Sequence, residues 1–365
     1  AEQSPHLPLK VLHKTLDEAG SNESVVGISN WALDPAKMNR AVHLYRQEPT
    51  VEDLALTAEG MVDSANLRGH LIGVARSFSE VYRLQGQTDF WGMREFYSTV
   101  RFINRALDNG AKHLSPDILM TAVLRNYGGR PTETDGVVSR FFREMGMMES
   151  GATRPPVLNL VRQNIREPEA RHLMLLTRNN AALGLLFDHG ILAHDSTTVL
   201  FGSDFPLDKS DLQVCLNIQR VKHCMASGVT LVLLHCESLF ESMYDLLNQH
   251  YTTVGGQLWV RLAFGTHSRL CPIDPNFRVI VVVEKQDAYT KLAAPLLNRF
   301  EKQVMERKDV MTSLHMRVAQ RLKRFAETLA ARESTKPAQD DGSDDENDDE
   351  LGDFTNVADM QVAMC

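Results

Sequence analysis

Three side chains stand where phosphoryl-transfer chemistry would want them. The stretch Val25–Arg40 reads VVGISNWALDPAKMNR, an apolar run ending in Asn30, then a short segment ending in Arg40. An amide at the tip of a central strand can orient a water near a terminal phosphate. An Arg at the end of the next helix can project into a neighbouring site and stabilise charge on the transferring oxygens. Arg94, in FWGMREFYSTV, is a third cation that could read the same phosphates from above. Each has a plainer reading. Asn30 fits a helix cap, Arg40 a surface ion pair, and Arg94 an exposed helix position. Taken together, in this order, they favour a nucleotide-hydrolysing module.

The later half offers a second, poorer copy. After Thr197–Phe201 comes GSDFPLDKSD, with Gly202 and Lys209 present but the second glycine of GxxxxGK[ST] missing. Pro206 and Asp208 stand where amide donors are wanted. The acidic pair expected after the next strand reads His235-Cys236-Glu237, and Glu284 takes the place of the Asn. The second site is therefore expected to be degenerate, with Lys209 a solvated lysine.

These residues need elements to hold them. Helix is expected from about Pro8 to Glu18, strand over Val25–Ser29, helix over Leu33–Asn39, strand over Ala41–Tyr45, and almost continuous helix over residues 50–126. Gly128–Pro156 is rich in Gly, Pro and Thr and reads as a link. Arg171–Ile191 reads as helix, Thr197–Phe205 as strand and Leu212–Ala226 as helix. Val229–Glu237 reads as strand, Leu239–Tyr251 as helix and Phe277–Lys285 as strand. Short apolar strands alternating with helices imply a parallel α/β sheet. A basic amphipathic helix, read as a packed surface element, is expected over Val310–Glu333. An internal repeat supports two copies: helix, strand, then PAKMNR in one and PLLNRF in the other, each ending in Asn-Arg.

Composition narrows the classes. The 365 residues carry a net charge of -8, and eight acidic residues lie in the run Asp340–Glu350. That run reads as a solvated, disordered insert. The remainder is near neutral, which argues against a nucleic-acid partner. Cys215, Cys224, Cys236, Cys271 and Cys365 form no CxxC pair, so neither zinc nor a disulfide framework is expected here. No apolar run is long enough for a membrane span, and nothing reads as a signal peptide.

The wording of GISNWALDPAKMNR, FWGMREFYS, MYDLLNQHY, VGGQLWVRLAFGTHSRL and APLLNRFEK resembles the mysterin family, from Ala1 to about Asp309. These are giant RING-type E3 ubiquitin ligases with a dynein-like core of six AAA+ modules. The resemblance implies P-loop NTPase-like AAA+ modules, each a parallel sheet plus a helical lid, the first truncated and the second degenerate. It divides the chain into residues 1–127, the C-terminal part of a fourth module, and a linker over 128–170. A degenerate fifth module follows over 171–309, then a helical segment over 310–335 and an acidic tail over 336–365. It places Asn30 at the sensor-one position, Arg40 at the arginine finger and Arg94 at a lid sensor. It implies ATP and Mg in the parent protein, at sites completed outside this piece, and zinc only in the parent's RING region. The implied partners are neighbouring AAA+ modules and a ubiquitin-conjugating enzyme that binds elsewhere. The implied location is the cytoplasm and lipid droplets. The piece alone is expected not to hydrolyse ATP. Two other readings stay open: a dynein- or midasin-like ring ATPase without ligase activity, and a non-catalytic AAA+-like scaffold.

Overall fold

The computed structural model describes residues 17, 24–29, 33–45, 47–62, 65–85, 89–203, 205–264 and 267–333. The chain divides into two units, Ala1–Thr50 and Val51–Cys365. The division lies well before the expected linker.

In the first unit Pro35–Met38 forms a short helix, α1, as expected. The two expected strands do not form: Val25–Ser29 and Ala41–Tyr45 are irregular. Val26, Ile28, Val42, Leu44 and Tyr45 are exposed, Ile28 at 98%. A strand exists by ladder pairing, and among the described residues no strand forms a ladder with these two segments. The helix expected over Pro8–Glu18 lies outside the described residues, Asp17 excepted.

The second unit opens with a helical layer: α2 (Val51–Glu59), α3 (Ala65–Arg68), α4 (Leu71–Leu84), α5 (Met93–Asp108), α6 (Pro116–Asn126), α7 (Pro131–Glu144) and α8 (Val157–Arg166). In α5 the buried Phe96, Val100, Ile103 and Leu107 recur at helical spacing and face the core. Helix α6 is started by Ser115, whose hydroxyl accepts from the Ile118 amide, with Pro116 in the first turn. Residues 128–170 are those expected as a linker. They contain α7 and α8, and Val138, Phe141 and Phe142 are buried against α4 and α6.

A five-stranded parallel sheet follows, in the order β2-β3-β7-β1-β8. Its strands are β1 (Leu173–Thr177), β2 (Thr197–Phe201), β3 (Thr230–Leu234), β7 (Val279–Glu284) and β8 (Glu301–Val304). Helices α9 (Ala181–Asp188) and α10 (Asp211–Ser227) make two of the crossovers. Leu173, Leu175, Val232, Leu234, Ile280 and Val282 face one side, with Val161, Ala182 and Leu186. Met174, Leu176, Leu231, Leu233, Val279 and Val281 face the other, in one core with the helical layer. Both faces are covered, which is why these strands read as unbroken apolar runs.

Arg171–Ile191, expected as one helix, is strand β1, a turn and then α9. LMLLT is rich in helix formers, but its place between β7 and β8 decides its state. Leu239–Tyr251 keeps only a one-turn helix, α11 (Tyr244–Leu247). Between β3 and β7 sits a second, antiparallel sheet of β4 (Thr252–Val254), β5 (Gln257–Phe264) and β6 (His267–Ile273). Short helices α12 (Lys285–Thr290) and α13 (Ala294–Leu297) lead from β7 to β8. The last helix, α14 (Ser313–Glu333), forms as expected, with Ala326 buried but most of its apolar side chains exposed. Leu314, Val318, Leu322, Phe325 and Leu329 are all exposed.

Buried ion pairs tie the helical layer to the sheet. Arg125 on α6 grips Glu301 on β8 through Nε at 2.9 Å and Nη2 at 2.8 Å, and reaches Glu167 at 2.8 Å. Asn164 on α8 donates to the same Glu301 carboxylate at 2.7 Å. A two-pronged Arg–carboxylate contact fixes both distance and angle.

Candidate functional site

In an open parallel sheet, ligands gather where neighbouring strands send their connections opposite ways, beyond the carboxyl ends. Here that point lies between β1 and β7. From β1 the chain leaves for the far edge at β2, whereas from β7 it crosses over β1 to β8.

The connection after β1 is only Arg178-Asn179-Asn180. Asn179 and Asn180 have φ of 50° and 52°, the left-handed region that Asn tolerates better than most residues. The Thr177 hydroxyl accepts from the Ala182 amide at 3.1 Å and starts α9. The Asn180 amide donates to Glu284 Oε1 at 2.9 Å, and the Asn180 side chain meets His235 Nε2 at 3.3 Å. A phosphate cradle needs free amides on a glycine-rich loop and a lysine. This turn has neither glycine nor lysine, and a carboxylate already takes its amide. The residues present do not fit a triphosphate. Beside them Glu306 pairs with Lys308 at 2.8 Å and Lys285 at 3.7 Å. Burial works against its charge, yet those cations and Arg178 bring it below the usual carboxylate range.

Gly202, Lys209 and Glu237 lie elsewhere. Gly202 follows edge strand β2, separated from β1 by β3 and β7. Its amide donates to the Leu234 carbonyl at 2.8 Å, and a Cβ there would fall 1.9 Å from the His235 carbonyl oxygen. Only glycine permits that approach. Lys209 is exposed in the turn before α10, and Glu237 is exposed just after β3. Burial, first among several influences, raises the neighbouring Cys236 thiol to about 11, so it is inert at neutral pH.

Asn30 lies outside the described residues. Arg40 directs Nε at Asp17, 2.7 Å from Oδ1 and 2.9 Å from Oδ2. Arg94 occupies the first turn of α5, half-buried. Close by lies Arg299, which follows α13 in the second Asn-Arg. It is 7% exposed, with its guanidinium carbon 3.8 Å above the Tyr244 ring. Burial, with Arg94 as a further cause, holds Arg299 below the usual guanidinium range, against Tyr244 and Asp245. Arg299 Nε is buried without a hydrogen-bond partner. Sequence reasoning noted this Asn-Arg as a repeat but did not assign it to a site. Its partner Arg94 is 205 residues away in sequence, as the numbering gives.

Comparison with known proteins agrees with this architecture. A model described as RNF213 AAA domain matches residues 162–311, and a second of the same description matches residues 1–53. The chain belongs to the mysterin, or RNF213, family. It is 35% identical to E3 ubiquitin-protein ligase rnf213-beta of Danio rerio, over 94% of this chain and 7% of that protein. It is also 35% identical to E3 ubiquitin-protein ligase RNF213 of Mus musculus, over 90% of this chain and 7% of the relative. The human protein of that name gives 35% over 88% and 7%. The chain thus spans about 7% of the length of these relatives. The family's AAA+ fold is what the parallel sheet and its helices display. Among the described residues, no helix is long and apolar enough to cross a membrane.

Proposed function

We propose that this chain is part of the AAA+ motor core of a giant E3 ubiquitin ligase, and that its parallel sheet is a module that does not hydrolyse ATP. The observation that carries this reading is the Asn180 amide held by Glu284 on a three-residue turn. The module then serves its neighbours mechanically, passing nucleotide-driven movement along the chain. ATP and Mg belong to sites completed by other parts of the full-length protein. To those sites this chain lends Asn30 as a water-orienting amide and Arg40 as an arginine finger. It also lends Arg94 as a lid cation, with Arg299 beside it. The movement would be coupled to ubiquitin transfer through a zinc-binding RING region and a ubiquitin-conjugating enzyme, in the cytoplasm and at lipid droplets. The names of the relatives favour this over a ring ATPase unconnected with ubiquitin.

The test has two parts. Titration of this chain with a fluorescent ATP analogue is expected to show no saturable binding up to millimolar concentration, and saturation would sink the closed-site reading. In the full-length protein, Arg40→Ala is expected to slow ATP hydrolysis by about a thousandfold. A full rate would favour the scaffold reading, in which residues 171–309 only hold partners.

A further inference from the structure

Next to Arg94 in sequence is Glu95, a carboxylate with no exposure to solvent. Its Oε1 receives Arg171 Nη1 at 2.6 Å and Lys302 Nζ at 2.7 Å, and its Oε2 accepts from the Gly92 amide at 2.8 Å. Lys302 is itself fully buried, on β8. The same two cations reach the backbone around Arg299. Arg171 Nη1 also donates to the Asn298 carbonyl at 3.1 Å, and Lys302 Nζ to the Leu297 carbonyl at 3.2 Å. From the other direction, Asn298 Nδ2 donates to the Asp89 carbonyl at 3.1 Å, just ahead of α5. One carboxylate therefore links the first turn of α5, which carries Arg94, to the segment that carries Arg299.

Such a cluster is a poor way to gain stability, because two or three ions must leave water to build it. What it supplies is a fixed geometry. Arg94 and Arg299 lie near enough for their charges to repel, and an anion between them would relieve that repulsion. We infer that Glu95 is a positioning residue, which holds Arg94 on α5 and Arg299, between α13 and β8, at a set separation so that both meet one nucleotide phosphate. This rests on the reading of Arg94 given above. Glu95 itself touches no phosphate and acts through the two arginines.

The experiment measures ATP hydrolysis against ATP concentration in the full-length protein for the parent, Arg94→Ala, Glu95→Gln and the double variant. Glu95→Gln is expected to lower kcat by up to about a hundredfold, the scale of a 1 Å misplacement, with KM changed far less. Because one of its two arginines is already gone, Glu95→Gln is expected to cost less in the Arg94→Ala background than in the parent, since residues that act as one unit are not additive. If Glu95→Gln slows the enzyme equally with and without Arg94, or leaves kcat unchanged, the positioning role is overturned. A full rate for Arg94→Ala would overturn the reading of Arg94 itself, and the inference with it. Thermal melting checks that each variant folds. Should Glu95→Gln not fold, Glu95→Asp keeps the charge, shortens the reach and is judged by the same rule.

Discussion

His172 is enclosed at the entrance to β1, where its Nδ1 accepts from the Val279 amide at 3.3 Å. Burial above all, and then Arg278, pull it down to about 3. An unfolded chain protonates its His near 6.5, so between pH 6.5 and 3 the unfolded state binds a proton that the native state refuses. Stability must fall as pH drops through that window, by up to about 1.4 kcal/mol per pH unit from this residue. Urea midpoints at pH 7 and pH 5 should therefore differ less for His172→Gln than for the parent chain. Equal differences would mean that the ring charges freely in the folded state. Arg125 offers a second residue-level test. Replacing it with Met strands the Glu301 carboxylate, and should destabilise the chain by about 3–5 kcal/mol in chemical denaturation. Removing both charges, as Arg125→Met with Glu301→Leu, should recover most of that loss, since two apolar groups leave no ion unpaired. A double variant as weak as the single one would point to Asn164 or Glu167 as the partner that matters.

At the level of elements, α14 is largely exposed. Its apolar residues Leu314, Val318, Leu322, Phe325 and Leu329 form a stripe at helical spacing with nothing over them among the described residues. Phe325→Glu should leave the denaturation midpoint within about 0.5 kcal/mol of the parent. The same change should reduce light scattering at high protein concentration. A large drop in stability would mean that the stripe is packed in solution. This helix was legible from its periodicity, as were α1 to α6, α10, β2, β3 and β7. What was not legible depends on distant partners. LMLLT is a strand because β7 and β8 flank it, and VVGIS is not one because no strand among the described residues forms a ladder with it. The first of these moved the candidate cradle from Gly202 to Arg178–Asn180. Asn-Asn after an apolar run was a visible turn signal. The buried charges of EKQV, by contrast, break the apolar pattern of a parallel strand, and their partners Glu95 and Arg125 sit 207 and 176 residues away.

For the whole molecule, the division at Thr50/Val51 makes a prediction about proteolysis. Brief chymotrypsin treatment should cut first near Leu44 or Tyr45, both exposed and outside regular structure. A fragment holding residues 51–333 should survive, since one core joins its helices to its sheet. First cuts within 128–170 would instead support the expected linker. The closed turn beside β1 bears on the history of the chain. Deleting the Glu284 side chain would free a single amide on a loop too short to wrap a phosphate. Inserting glycines without removing Glu284 would set the loop against a carboxylate. Supplying a lysine alone would give that carboxylate a companion. If the module is closed as proposed, no one of these steps alone restores a working cradle, so opening it would take several changes made together.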